Sequence, residues 1–169
     1  LYDFVSDDVK QAYTAIRASV DMQNKLDSDD HMYYHPAINL TSYNARFNTS
    51  EITLGLNAPV TYNIDSSLDA YVALSGAFTN YKSDTYSTNN NFIEVLPGMK
   101  YHKGRISGHL LLGLALGKGS TGYFLPDVMA GYRLPGDRFI VSAGWQSTLR
   151  QNTYEQMTME NPYMTSSYW

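Results

Sequence analysis

Residues 51–64, EITLGLNAPVTYNI, place an apolar side chain at every even position from Ile52 to Ile64 and a polar or small one at nearly every odd position. Side chains alternate across a strand with period two, so the stretch predicts a long strand with one apolar face. Beyond the turn-like Asp65-Ser66 the alternation resumes: Leu68, Ala70, Val72, Leu74, Gly76 and Phe78 stand against Asp69, Tyr71, Ser75 and Thr79. The two runs read as an antiparallel hairpin.

The same test predicts strands elsewhere. Residues 11–23 set Ala12, Ile16, Ala18, Val20 and Met22 against Gln11, Arg17, Ser19, Asp21 and Gln23, and 105–116 and 138–147 behave alike. Weaker alternation covers 92–101 and 123–134. Seven strands are expected in all, most of them ten residues or longer. Soluble strands usually run to about 5–6 residues, whereas about 9–11 are needed to cross a bilayer at a tilt. Short joints at Asp65-Ser66, His102-Lys103-Gly104 and Pro135-Gly136-Asp137 are expected to alternate with long polar connections at 25–48, 81–91 and 117–122. That asymmetry is the one outer-membrane barrels show.

Alternation alone does not say which face meets water. In a soluble sandwich or lipocalin-like barrel the apolar face is the core. In a membrane barrel it meets lipid, and the polar face lines a lumen. Composition favours the second. Only 17% of residues are charged while 15 Tyr, 6 Phe and 2 Trp are present. Small residues recur on the polar face, at Gly55, Ser75, Gly113, Ala115, Gly131 and Gly144, where a soluble sheet would display long Lys and Glu side chains. Tyr62, Phe78, Phe92, Tyr101, Phe124, Tyr132, Phe139 and Trp145 fall near strand ends, as interfacial girdles would. The expected fold is therefore all-β, an antiparallel up-and-down transmembrane β-barrel segment forming one domain over residues 1–169. Bacterial barrels have an even number of strands from eight upward, so seven strands imply an incomplete wall.

Charge and composition exclude other classes. A net charge of −4 without a Lys/Arg run does not suit phosphate-backbone binding, so no nucleic-acid partner is expected. The absence of Cys excludes disulfides and thiolate catalysis. Leu1 begins no signal-peptide pattern and no apolar run approaches the ~20 residues of a spanning helix. An exported protein of this kind is then expected to be a mature chain or a piece of a longer one.

The segment LPDVMAGYRLPGDRFIVSAGWQSTLRQNTYEQMTMENPYM, residues 125–164, resembles a recurring stretch of TonB-dependent-receptor-like outer-membrane proteins of Bacteroidota. The order of features carries the resemblance: Pro126-Asp127, a turn over Leu134 to Asp137, Gly144, then Leu149 to Tyr154, and Glu160-Asn161-Pro162-Tyr163. It implies an interior slice of a transporter barrel in the bacterial outer membrane, passing a nutrient. Any plug domain or contact with the TonB system would lie outside this chain. The partners implied are outer-membrane lipid and a small-molecule nutrient.

Candidate chemistry is sparse. Asp27, Asp29, Asp30, His31 and His35 gather in DSDDHMYYH, but their spacing fits neither a calcium loop nor a zinc signature, and no metal or cofactor is expected. Arg17, Asp21, Glu51, Asp69, Glu94, Lys100, His109, Asp127 and Arg133 are the lumen-facing candidates, a mixed-charge set suited to a polar path or to gripping a plug. Ser107, His109 and Asp127 or Asp21 would be needed for a nucleophile–base–orienter set. Two residues on one strand face stand about 6–7 Å apart, too far for a direct hydrogen bond, so no catalytic residue is expected. Two other classes stay open: a structural or adhesive surface barrel with a filled lumen, and a soluble lipocalin-like binding barrel.

Overall fold

The strict alternation begun at residue 51 lies in an interior strand of one antiparallel sheet. The computed structural model describes residues 12–25, 31–45, 48–136 and 138–161. Among them lie nine strands: β1 (Tyr13–Asp21), β2 (Met32–Tyr34), β3 (Ala37–Ala45), β4 (Thr49–Asn63), β5 (Leu68–Lys82), β6 (Ser87–Lys103), β7 (Ile106–Leu116), β8 (Gly122–Arg133) and β9 (Ile140–Gln146). One helix follows, α1 (Tyr154–Glu160). The sheet runs β1-β3-β4-β5-β6-β7-β8-β9, with β2 paired to β4 beside β3. It is an up-and-down meander and, among the described residues, it does not close, because β1 and β9 each keep a free edge.

The expected hairpin is present, with Leu54 opposite Phe78 and Tyr62 opposite Ala70. Gly104 turns the β6–β7 hairpin with a φ of 60°, a conformation that glycine adopts without steric cost. The ladder between β6 and β7 breaks between Val95 and Gly98, where Pro97 has no N–H to donate.

Three expectations are corrected. The span 25–48 is not one long loop, since β2 and β3 lie within it and lengthen the sheet to nine strands rather than seven. Nor is 81–91 a loop: Tyr81 pairs with Thr88 and Lys82 with Ser87, leaving a turn at 83–86. Connections at both ends of the sheet between β4 and β8 are consequently short. The cause is the same in both places. β3 offers only Ile38 and Leu40 on its apolar face before Ser42 and Asn44, and the outer ends of β5 and β6 carry Asn80, Lys82, Ser87, Asn89 and Asn91. Backbone pairing continues there without an apolar side-chain pattern to announce it.

Register assigns every side chain to one of two faces. The apolar face carries Ile52 to Tyr62 of β4, Leu68 to Phe78 of β5, Ile93 to Tyr101 of β6 and Ile106 to Leu116 of β7 with no charged residue among them. These side chains are exposed: Leu54 and Leu112 by 38% and Leu114 by 57%. What core the fold has lies on the other, polar face, where Tyr43, Tyr81 and Tyr154 cluster beneath α1. No helix among the described residues is long and apolar enough to cross a membrane.

The aromatic rings divide between the faces. Tyr62, Tyr101 and Tyr132 lie at one edge of the apolar face, and Phe78 and Phe124 lie toward the other. Two assignments to strand-end girdles change: Phe92 pairs with Ala77 on the polar face, and Trp145 stands opposite Val128 in the middle of β8.

Candidate functional site

All nine candidate residues fall on the polar face, as the register requires. Arg17 and Asp21 are on β1 opposite Thr41 and Ala37, Glu51 and Asp69 on β4 and β5, Glu94 and Lys100 on β6, His109 on β7, and Asp127 and Arg133 on β8. They do not form one site.

Four of them make a lateral row. Asp69 pairs with Lys100 across β5–β6 and Lys100 with His109 across β6–β7. His109 Nε2 lies 2.7 Å from Asp127 Oδ1, both half-buried. Asn63 Nδ2 donates to Asp69 Oδ1 at 2.7 Å, and His102 Nδ1 stands 3.8 Å from Asp69 Oδ2. Lys100 Nζ sits 4.3 Å above the Tyr71 ring, a cation–π placement. His102 was not among the candidates, although its even position on β6 puts it on the same face as Lys100.

Two more, Arg17 and Glu51, hold α1. Glu51 is only 2% exposed, and its carboxylate accepts from the N–H of Tyr154 at 2.6 Å and from that of Glu155 at 3.3 Å. These are first-turn donors that have no intrahelical acceptor, and a carboxylate at a helix N-terminus is favoured by the helix dipole. Thr153 is the N-cap, its hydroxyl accepting from the Gln156 N–H at 3.2 Å. Arg17 forms an ion pair with Glu155. Tyr43 and Thr158 share a hydroxyl–hydroxyl bond of 2.9 Å. The Tyr154 ring meets those of Tyr43 and Tyr81 at 6.1 and 5.1 Å, and burial pushes the Tyr154 hydroxyl above its usual pKa.

Residues 147–153 connect β9 to this helix across the polar face. Ser147 N donates to Pro126 O at 3.0 Å, extending the β8 ladder, and further on Asn90 Nδ2 donates to Asn152 O at 3.4 Å. Gln151 also donates to the Asn90 carbonyl. From Gln146 to Tyr154 an extended chain reaches about 28 Å. The five strand spacings from β9 to β4 amount to about 24 Å. The segment thus spans most of the sheet as a strap. Its sequence signal was the Thr153-x-x-Gln156 spacing, a capping-box pattern.

The remaining candidates stand apart. Glu94 Oε2 accepts from Ser75 Oγ at 3.2 Å, and a side chain at Gly113 would press on Glu94 Oε1 at 2.8 Å. Asp21 Oδ2 lies 3.2 Å from His35 Nε2. Arg133 is exposed at the end of β8, opposite Ile140. Asp27, Asp29 and Asp30 lie outside the described residues; the His31 ring lies 6.2 Å from that of Tyr62, tilted against it by 49°. Among the described residues no three His, Asp or Glu are grouped to hold a metal ion. The His109–Asp127 pair has the geometry of a base with its orienter, but no hydroxyl among the described residues hydrogen-bonds to His109 to serve as a nucleophile.

No family model, no curated protein and no solved structure matches this chain.

Proposed function

We propose that the chain is part of the wall of an outer-membrane β-barrel of the TonB-dependent-receptor-like kind, with lipid against its apolar face and a nutrient path along its polar face. One observation carries the reading: a charge-free apolar band lies exposed on four adjacent strands. From Leu68 to Phe78 the band on β5 is eleven residues long. At about 3.4 Å per residue that is roughly 34 Å along the strand, or about 24–28 Å in height at the tilt of about 35–45° usual for such strands. An apolar band of an outer-membrane barrel is about 25 Å tall.

The band also steps sideways. Ile52, the first apolar residue of β4, pairs with Asn80, beyond the end of the β5 band at Phe78. A slab of constant height crossed by tilted strands has such a stagger. A soluble lipocalin-like barrel would instead pack Leu54, Leu74 and Leu112 together in a dry interior, whereas all three are exposed. Lipid leaves no water to satisfy a strand edge, so the reading includes further strands against the free edges of β1 and β9. A plug domain or TonB contact belongs to the same reading, outside the described residues.

A second reading is favoured by the strap. Residues 147–160 already occupy part of the polar face, as expected for a structural or adhesive surface barrel with a filled lumen. Conductance separates the two. In a planar bilayer the passage reading predicts solute-sized conductance that falls when Glu94 or Lys100 is enlarged or neutralised. A sealed bilayer on insertion of the intact protein contradicts passage and favours the filled barrel.

A further inference from the structure

At the end of the sheet bearing the β6–β7 turn, Lys103, Arg105 and Arg133 gather, and among the described residues none of them is ion-paired. The Arg133 N–H donates to the Arg105 carbonyl at 2.8 Å, which sets the backbone of Arg105, in the β6–β7 turn, beside that of Arg133 at the end of β8. With Lys103, His102, Ser107 and Ile140 they line a groove of about 240 Å³. Among the described residues the side chains of Lys103, Arg105 and Arg133 make no ion pair and no hydrogen bond. Two described acids of the adjoining strands are engaged elsewhere: Asp69 with Asn63 and His102, Asp127 with His109. Like charges on directly adjacent positions repel, and nothing in the described fold offsets the repulsion. An anion does.

We propose that this groove binds the phosphate group of a small solute at one mouth of the polar face. The proposal rests on the barrel reading, since it gives the passage its substrate class. Two guanidinium forks and an ammonium suit a dianionic oxyanion, which arginine meets bidentately, and the Ser107 hydroxyl adds a neutral partner. The volume is smaller than the roughly 300–1,000 Å³ of sites that enclose a drug-sized ligand, so it suits a phosphate head with the remainder of the molecule outside. A free solute is favoured over a lipid headgroup because Arg133, His102, Ser107 and Ile140 lie on the polar face; Lys103 and Ile106, which also line the groove, belong by register to the other face at its rim.

Titration of the full protein in uncharged detergent micelles with inorganic phosphate and with phenyl phosphate tests this by calorimetry. Binding is expected to weaken at least tenfold in an Arg105→Gln/Arg133→Gln double variant and to be unchanged in Lys118→Gln, whose site lies at the opposite end. Both arginines are exposed, and an unaltered far-ultraviolet spectrum checks that the variant folds. Absence of phosphate binding in the unmodified protein, or equal binding in the double variant, overturns the proposal. A parallel arm places the protein in nanodiscs with and without phosphatidic acid. Arginine-dependent affinity there, without affinity for the soluble phosphates, overturns the solute assignment in favour of a headgroup. Micelle binding does not depend on which face meets lipid, so its failure leaves the barrel reading standing, and failure of the barrel reading leaves the binding result legible.

Discussion

Glu51 shows how a single side chain can be committed twice by its position. Its place on β4 turns it to the polar face, and there its carboxylate accepts from the first-turn N–H groups of α1. Truncation leaves two buried donors without acceptors, so Glu51→Ala is expected to destabilise the docked helix by about 1–3 kcal/mol. Hydrogen exchange at the Tyr154 and Glu155 amides would measure it, with unchanged protection there contradicting the assignment. Gly98 is bound by space. A Cβ at that position would stand 2.3 Å from the Leu110 carbonyl oxygen and 2.8 Å from Leu111 Cα, both backbone atoms. Gly98→Ala should therefore cost about 1–3 kcal/mol through forced displacement of β7, read as a lower unfolding midpoint. At Leu112 the solvent decides the outcome. Leu112→Arg is expected to cost about 2–4 kcal/mol in lipid if the site lies near the bilayer midplane. An unaltered stability in a lipid-based unfolding assay would count against lipid contact at β7.

Among the elements, α1 depends on its docking. Seven residues lie well below the about 12–15 at which an isolated helix becomes even marginal in water. Its cap, the Glu51 carboxylate and the tyrosine cluster must supply the stability. Thr153→Ala should weaken it by about 1 kcal/mol, and Tyr154→Ala should release it while the strand signal in circular dichroism persists. Loss of the strand signal as well would mean that the strap holds the sheet together rather than resting on it. The elements also separate what the sequence made legible from what it did not. β4, β5 and β7 were readable because period-two alternation persists over their whole apolar bands. β3 beyond Leu40 and the outer ends of β5 and β6 were not, because polar side chains stand on the apolar face there while the backbones pair regardless. α1 was hidden for a different reason: Thr153-x-x-Gln156 is a starting signal without the apolar periodicity that makes a helix recognisable in isolation. The polar-face placement of Arg17, Glu51, Asp69, Lys100 and His109 followed from parity alone. Their partition into a charged row and a helix clamp depends on cross-strand register, which no local pattern specifies.

For the whole molecule, the distribution of polarity is inverted relative to a water-soluble sheet protein. Its exposed side chains include Val20, Leu114 and Val141, and its buried ones include Glu51, Thr49 and Thr79. The most direct test is a spin-label scan of every position from 68 to 82 on β5, in membranes containing the intact protein, reading collision with dissolved oxygen against collision with a water-soluble nickel chelate. The account predicts that oxygen dominates at even positions from Leu68 to Phe78, that nickel dominates at odd positions outside the strap's shadow, and that both patterns end at Asn80 and Lys82, beyond the apolar band. Nickel access at Val72 and Leu74 equal to that at Lys82, or oxygen preference at Ser75 and Ala77 instead, would contradict it.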